Sequence, residues 1–560
     1  GQVRYDTTAR FSGVGIRAMG DQEFDICRSI ECMTKYSEMV LDPLRIRYCL
    51  EKALYLARSG RPGPCWLDIP LNVQGAFVDT EDLIGFDQED YNAGGDGWAG
   101  GDKSHRISQD IAGQGELRQV LPARVELSTA QEIIKKVRNA RRPVINAGNG
   151  IRIAGAHEVF MEVAEKLGVP VITGWDSEDC MYDAHPLYVG RAGNMGDRPG
   201  NFAIQNSDLV LSIGSRLSIR QVGYNYKTWA REAYVIANDI DQEELKKPSV
   251  HVDMPVHADA GDLLEQLNRV LDALLAEEGS ALPHSLSRPG KKQVFDGGEG
   301  LRSMNWSQTC AMWKERYPVV LPKHFEHGDQ EPANVYAFID TLSRMLPENA
   351  LTVVANGSAS VVGSQTFYIK ENDRFIMNCA LSSMGYALPA AIGACMDNGQ
   401  ENQSVVCIEG DGSIMMNLQE LQTVSTHQMP IKIFIINNEG YHQIRLTQAN
   451  IFHHGFVGMG PESGDLGFPD FEKIAAAFGI AYARISSNDE LKTGIGHVLS
   501  YQGPIVCEVI VSTTQKFEPK SATKKLPDGT LASPPLEDMA PFLSREELKT
   551  NMCIPALPEN

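Results

Sequence analysis

The segment Val405 to Tyr441 reads V-V-C-I-E-G-D-G-S-I-M-M-N-L-Q-E-L-Q-T-V-S-T-H-Q-M-P-I-K-I-F-I-I-N-N-E-G-Y, and its reading decides the fold. Val405 to Ile408 is a short apolar run bounded by glycine, and Ile431 to Ile436 is a second, as strands buried on both faces read. Between them Met415, Leu418, Leu421 and Gln422 recur at helical spacing, and Met429-Pro430 breaks the pattern before the second run. Strand, glycine turn, helix, break and strand make a parallel βαβ unit with a right-handed crossover. Asp411 and Asn438 then emerge at the carboxyl ends of neighbouring strands, where open α/β sheets bind ligands, although 27 positions separate them. A carboxylate, an amide oxygen and a nearby backbone carbonyl are hard oxygen ligands too few to fill an octahedron. Mg²⁺ is held that way when phosphate oxygens complete its shell. Gly410 and Gly412 let the backbone pass close to such phosphates. Taken singly, Gly-Asp-Gly reads as an ordinary turn and Asn-Asn as a strand terminus.

Together, Gly410-Asp-Gly-Ser413 and the strand ending in Asn437-Asn438 resemble the fingerprint of thiamine diphosphate (ThDP) enzymes, and Met429-Pro430 resembles the acetolactate synthase branch. The resemblance implies that Asp411, Asn438 and the Gly440 carbonyl ligate Mg²⁺, with Gly412, Ser413 and Tyr441 in the cofactor-binding loop. It also implies an α/β fold of three Rossmann-like parallel-sheet domains, the first incomplete at its N-terminus. The expected boundaries are 1–76 for the carboxyl-terminal part of a pyrimidine-binding domain, 77–124 for a linker or insertion and 125–275 for a central domain. A linker over 276–330, a diphosphate-binding domain over 331–515 and a tail over 516–560 complete the chain.

With 560 residues the chain is too long for one core. Its 42% hydrophobic and 22% charged residues are ordinary for a soluble globular protein, and no apolar run approaches the roughly 18 residues that cross a bilayer. A net charge of −21, with no basic cluster interleaved with aromatics, argues against nucleic acid as a partner. Eleven cysteines show neither paired spacing nor a C-x-x-C motif, which is the pattern of reduced core residues and favours the cytoplasm. The chain opens at Gly1-Gln-Val3 without an initiator Met, as though cut from something longer.

In chain order, Leu44, Ile46, Leu50, Leu54 and Leu56 mark an apolar helix face, and Ser59-Gly-Arg-Pro-Gly-Pro64 stops that helix ahead of a strand at Cys65 to Ile69. The stretch from Gly1 to Pro70 resembles the end of the pyrimidine-binding domain of acetolactate synthases. In that family a catalytic glutamate lies further upstream, so no residue here is assigned its role. Glu81 to Leu121, rich in Gly, Asp and Gln, reads as an extended linker. From Ser128 onward, strands at Pro143–Asn146, Val169–Ile172, Leu209–Ile213 and Tyr234–Ala237 alternate with helical segments, the pattern of a second Rossmann-like domain. In acetolactate synthases the corresponding domain binds FAD, and Gly148, Gly150, Arg216, Arg220 and Asp239 match the positions concerned, with Asn149 interrupting the family's glycine triplet.

Asn334 can cap a helix carrying Val335, Phe338, Ile339, Leu342 and Met345, ahead of a strand at Leu351–Ala355. Asn356-Gly-Ser358 follows at the strand end; by resemblance Gly357 and Ser358 contact the diphosphate. Ser382-Ser-Met-Gly-Tyr-Ala-Leu-Pro-Ala-Ala391 opens a small-residue helix, and Ser382 and Met384 join the implied cofactor contacts. Met384 reads on its own as core filler; in the family a bulky apolar residue there wedges ThDP into its bent form. The tail after Thr514 reads as a partly extended segment packed over the site.

The implied function is a ThDP- and Mg²⁺-dependent carboligase that decarboxylates pyruvate or a similar 2-keto acid, working as a homodimer or tetramer with cofactor at the subunit interface. Acetohydroxyacid synthases that prefer 2-ketobutyrate as acceptor carry Trp nine residues past the second Asn, where this chain has Thr447. Acyl transfer to another acceptor such as a keto sugar, or simple decarboxylation, is therefore the second expectation. A catalytically silent cofactor-binding subunit or fragment is the third.

Overall fold

The computed structural model describes residues 4–13, 19, 23–99, 115–116, 120–278, 304–326, 331–397, 404–452, 455–522, 524–525, 531–555 and 557. They fall into two compact units: residues 1–123 with 240–243 and 257–259, and the remainder.

In the first unit β1 (Tyr36–Met39) pairs in parallel with β2 (Cys65–Asp68) and antiparallel with β3 (Gly115–Glu116). β1 has no apolar signature because its Glu38 is wholly buried, taking the Arg45 guanidinium at 2.7 Å and the Tyr36 hydroxyl. The helix Ile46–Arg58 turns Tyr48, Cys49, Lys52 and Leu56 inward, whereas Leu50 and Leu54 of the expected apolar face are exposed. The inward face is set by Lys52, whose ammonium meets Glu116 at 2.7 Å and lies over the Tyr36 ring. The expected 77–124 linker carries structure where it is described. Phe86, Tyr91 and Trp98 pack as an aromatic cluster on Tyr48 and Tyr55, and Glu116 joins the sheet. Its residues 100–114 and 117–119 lie outside the described residues.

The second unit holds two six-stranded sheets, the multiple parallel α/β sheets expected of a ThDP-enzyme architecture. The central sheet comprises β4 (Pro143–Ala147), β5 (Val171–Thr173), β6 (Tyr188–Arg191), β7 (Leu209–Ile213), β8 (Tyr234–Asp239) and β9 (Met254–His257). Its order is β6-β5-β4-β7-β8-β9, the doubly wound arrangement whose direction reverses between β4 and β7. The other sheet comprises β10 (Leu351–Val354), β11 (Arg374–Met377), β12 (Val405–Gly410), β13 (Lys432–Asn437), β14 (Ala481–Ile485) and β15 (Ile505–Ile510). Its order is β11-β10-β12-β13-β15-β14, every pairing is parallel, and the reversal falls between β10 and β12. The near-continuous apolar runs of β12 and β13 are buried from end to end, as strands covered on both faces must be.

Three sequence expectations are corrected here. The β12–β13 crossover is not one helix but a turn at Asp411–Ile414, a 3-10 turn at Leu418–Glu420 and a short helix at Leu421–Thr426. Ile414, Leu421 and Val424 are the buried apolar residues of these three turns, and Met415 is exposed. The break comes at Asn417, whose side-chain amide leaves its own segment to donate to the Gly385 carbonyl at 2.9 Å. Within 276–330 a helix forms at Trp306–Arg316, capped by Asn305 and Gln308. Its Trp306 indole donates to the Pro143 carbonyl and its Trp313 indole to Asn551, both at 2.9 Å, so it packs on the central sheet. The tail divides: at its start Phe517 packs edge-on against His442, next to Tyr441 of the strand-end loop, and Pro519 O accepts from Gln365 at 2.6 Å, whereas the part from 531 on covers the central sheet. Leu536, Leu548, Met552 and Ile554 share a core with Phe202, Trp229 and Trp313. Buried Glu537 accepts from Gln205 at 2.6 Å and Arg231 at 2.8 Å. Among the described residues no helix is long and apolar enough to cross a membrane.

Candidate functional site

The reversal between β10 and β12 opens a crevice at the carboxyl ends of those strands, and the sequence puts Asn356-Gly-Ser358, Gly410-Asp-Gly-Ser413 and Asn437-Asn438 at its rim. Gly357 has φ +68° and precedes the helix Ser358–Thr366, and nothing lies within 4 Å of where a Cβ would stand. The helix therefore begins at open space, with unsatisfied N–H groups at a positive dipole end. Ser358 Oγ accepts from Asn438 Nδ2 at 3.1 Å, which ties the helix start to the end of β13.

Asp411 is buried, and its two carboxylate oxygens accept from the Gly412 and Gly440 amides, both at 2.8 Å. Burial nevertheless pushes its carboxyl up to about 7, against the opposing pull of those amides and of Arg445. Asn438 Oδ1 is buried with no hydrogen-bond partner. A carboxylate lacking full countercharge and an orphaned amide oxygen two residues from the Gly440 amide are what a hard divalent cation would satisfy. Among the described residues no three His, Cys, Asp or Glu side chains cluster as a metal site, so backbone and ligand oxygens would have to complete the shell. Glycine is required at two points. A Cβ on Gly440 (φ +135°) would stand 2.0 Å from the Met459 carbonyl, and one on Gly412 would stand 2.3 Å from the Tyr441 ring.

The Met384 loop joins the same cluster. Gly385 N donates to Ser413 Oγ at 2.9 Å, and Asn356 Nδ2 donates to the Ser382 carbonyl at 3.2 Å, with Ser382 itself at φ +53°. Met384 is 40% and Leu381 82% exposed, and Met415, Met416 and Ile444 add exposed apolar surface. The structure thus brings Gly357, Ser358, Ser382, Met384, Asp411, Gly412, Ser413, Asn438, Gly440 and Tyr441 to one strand-end edge.

Two residues of this edge went unread in the sequence. Arg445 is buried, and its guanidinium donates to the carbonyls of Asn438 and Glu439, both at 2.8 Å, fixing the loop after β13. A lone Arg inside a helix gives no signal of this. Glu409 is a charged residue in the apolar run of β12, and that oddity was the available signal. It accepts from Leu388 N at 3.1 Å at the start of the helix Ala387–Asp397, and burial pushes it up to about 7.

The residues matched to a flavin site lie at the central sheet. Gly148 N donates to Ile213 O and Gly150 N to Gly214 O, both at 2.9 Å. A Cβ on Gly148 would meet Ser215 Cα at 2.2 Å, so these glycines serve the close approach of β4 and β7 at their reversal. Arg216 pairs with Glu244 at 2.8 Å, Arg220 lies over the Trp175 ring at 4.9 Å, and Asp239 ends β8.

Residues 355–509 match the model of the thiamine pyrophosphate enzyme C-terminal TPP binding domain, and residues 130–267 match that of the thiamine pyrophosphate enzyme central domain. The chain belongs to the ThDP-dependent enzymes, in the acetolactate synthase large-subunit family. A probable acetolactate synthase large subunit of Methanococcus aeolicus is 28% identical over 91% of this chain and 76% of its own length. The acetolactate synthase isozyme 1 large subunit of Escherichia coli (strain K12) is 27% identical over 87% of this chain and 74% of its own. For the chloroplastic acetolactate synthase 1 of Zea mays the figures are 28%, 88% and 68%. The ThDP-enzyme C-terminal match begins at Ala355, one residue after β10, and so takes in the whole strand-end edge.

Proposed function

We propose that this chain is a ThDP- and Mg²⁺-dependent carboligase that decarboxylates pyruvate or a similar 2-keto acid and transfers the acyl unit to a carbonyl acceptor, in the manner of an acetolactate synthase. The observation that carries the reading is the buried, partnerless Asn438 Oδ1 beside a buried Asp411 carboxylate at the reversal of a ThDP-family sheet. Asp411, Asn438 and the Gly440 carbonyl would hold Mg²⁺. The amino end of the helix Ser358–Thr366, with Gly357 and Ser358, would face the diphosphate. Ser413 and Asn417 hold the Met384 loop through Gly385, and Met384 would there face the cofactor. Bound there, ThDP would supply the carbon nucleophile and the electron sink for loss of CO₂. The chain's own work is to anchor, orient and desolvate.

The exposed Leu381, Met384, Met415, Met416 and Ile444 support assembly as a homodimer or tetramer that covers this edge. The unpaired cysteines fit a reducing compartment such as the cytoplasm. FAD at Gly148, Gly150, Arg216, Arg220 and Asp239 is supported by the resemblance alone. The two glycines and two arginines already have partners within the chain, so no step is assigned to a flavin. Thr447 favours a second reading for the acceptor. It is exposed and turns its hydroxyl back to the Gln443 carbonyl at 2.9 Å, so no bulky side chain narrows the site there, which admits a keto sugar or leaves simple decarboxylation.

Product analysis separates these readings. Pyruvate, ThDP and Mg²⁺ should yield acetolactate. Acetaldehyde would move the assignment to a decarboxylase, and unchanged pyruvate in the presence of other carbonyl acceptors would reject the carboligase.

A further inference from the structure

The helix Ser358–Thr366 is buried along its whole length, so its carboxyl-end carbonyls must find partners within the protein. Phe367 N takes the Gly363 carbonyl at 2.9 Å and Thr366 Oγ takes that of Val362 at 2.7 Å. The Ser364 and Phe367 carbonyls go instead to one guanidinium from the central sheet: Arg191 Nη1 donates to the first at 3.0 Å and Nη2 to the second at 2.6 Å. Arg191 ends β6, is buried, and is itself held by Asp183 at 3.2 Å and by the Tyr188 hydroxyl at 3.1 Å. Asp183 fixes the next part of the chain as well, because its carboxylate accepts from Ile369 N at 2.7 Å and its own N–H donates to Ile369 O at 2.9 Å.

A cation fixed at a helix carboxyl end meets the negative end of the peptide dipole, while the amino end stays free for an anion. Nine residues make a rod of about 13 Å at ~1.5 Å per residue. Where Arg191 holds one end, it therefore determines where the other end stands.

We propose that Arg191 is a positioning residue for the cofactor: by capping the carboxyl end of the Ser358–Thr366 helix it fixes the Gly357–Ser358 end that faces the diphosphate, and the central sheet thereby sets ThDP affinity. This rests on the reading of that helix start as the phosphate cradle. A general loosening of the unit is distinguished by a comparator, because Arg374 on β11 pairs with Asp179 from the loop after β5 at 2.7 Å in a bond that does not involve the helix.

The test is ThDP titration with saturating Mg²⁺ into the wild type, Arg191→Met and Arg374→Gln. The expected result is at least tenfold weaker binding for Arg191→Met and binding within twofold of wild type for Arg374→Gln. Wild-type affinity in Arg191→Met, or equal weakening in both variants, overturns the proposal. Should Arg191→Met lose its far-ultraviolet circular dichroism, Arg191→Lys carries the test; intermediate affinity is expected and wild-type affinity overturns it. Hydrogen exchange over 357–366 in the cofactor-free protein separates this proposal from the cofactor reading. Exchange should quicken in the Arg191 variant that folds and not in Arg374→Gln, and unchanged exchange overturns the clamp. A wild type that binds no ThDP would sink the cofactor reading alone.

Discussion

Glu178, on the loop after β5, is buried, and burial pushes it up to about 7 against the pull of the Arg191 guanidinium and the Ser364 hydroxyl. A carboxyl whose folded value is raised adds stability that is fully present below its unfolded value, near 4.5, and is lost as pH rises through about 7. Glu178→Gln should therefore be more stable than wild type at pH 8, by roughly 3 kcal/mol at most, with the gap closing near pH 4.5. Denaturant unfolding at the two pH values checks this, and equal midpoints at pH 8 would contradict it. Asp411 and Asn438 were legible because a charged and an amide residue each closed an apolar run. Arg191 was not, because its meaning lies in a partner far away in sequence: it meets Ser364, 173 positions on.

At the scale of elements, the tight turn after β13 depends on glycine. Gly440→Ala combines φ +135° with a Cβ 2.0 Å from the Met459 carbonyl, so the loop must shift, at a cost of roughly 2–4 kcal/mol. A lowered melting temperature with weakened Mg²⁺-dependent ThDP binding is expected; a melting temperature equal to wild type would show that the loop tolerates the side chain. β4, β5, β7 and β8 of the central sheet and β10, β12 and β13 of the other were legible as apolar runs, whereas β6, β9, β11, β14 and β15 were not read; the Asn334 cap was legible and is formed, donors Tyr336 N and Ala337 N included. The face of the helix Ile46–Arg58 was not legible. Periodicity counts leucines, and this helix buries Lys52 against Glu116 and Tyr36 while leaving Leu50 and Leu54 outside. The broken crossover was missed for a similar reason, since Asn417 serves another segment of the chain.

At the scale of the whole molecule, the last residues complete the core of the central sheet. Deleting 533–560 would uncover Phe202, Trp229 and Trp313 and remove buried Leu536, Met539, Leu548, Met552 and Ile554. Each such side chain is worth about 1.5–3 kcal/mol when buried, and together they rival the roughly 5–15 kcal/mol that keeps a domain folded. The truncated chain should lose cooperative thermal unfolding by circular dichroism, and a wild-type melting curve would contradict this role. Sedimentation with ThDP and Mg²⁺ should give a dimer or larger assembly; a monomer that still consumes a 2-keto acid would remove the interface from the proposed function. The central claim is a metal-dependent ThDP site where β10, β12 and β13 end, and the direct measurement is calorimetric titration of ThDP with Mg²⁺ and with chelator, in wild type and Asp411→Asn. Saturable binding only with Mg²⁺, lost in an Asp411→Asn protein that melts like wild type, is the predicted result; metal-independent binding, or undiminished affinity in the variant, would contradict it.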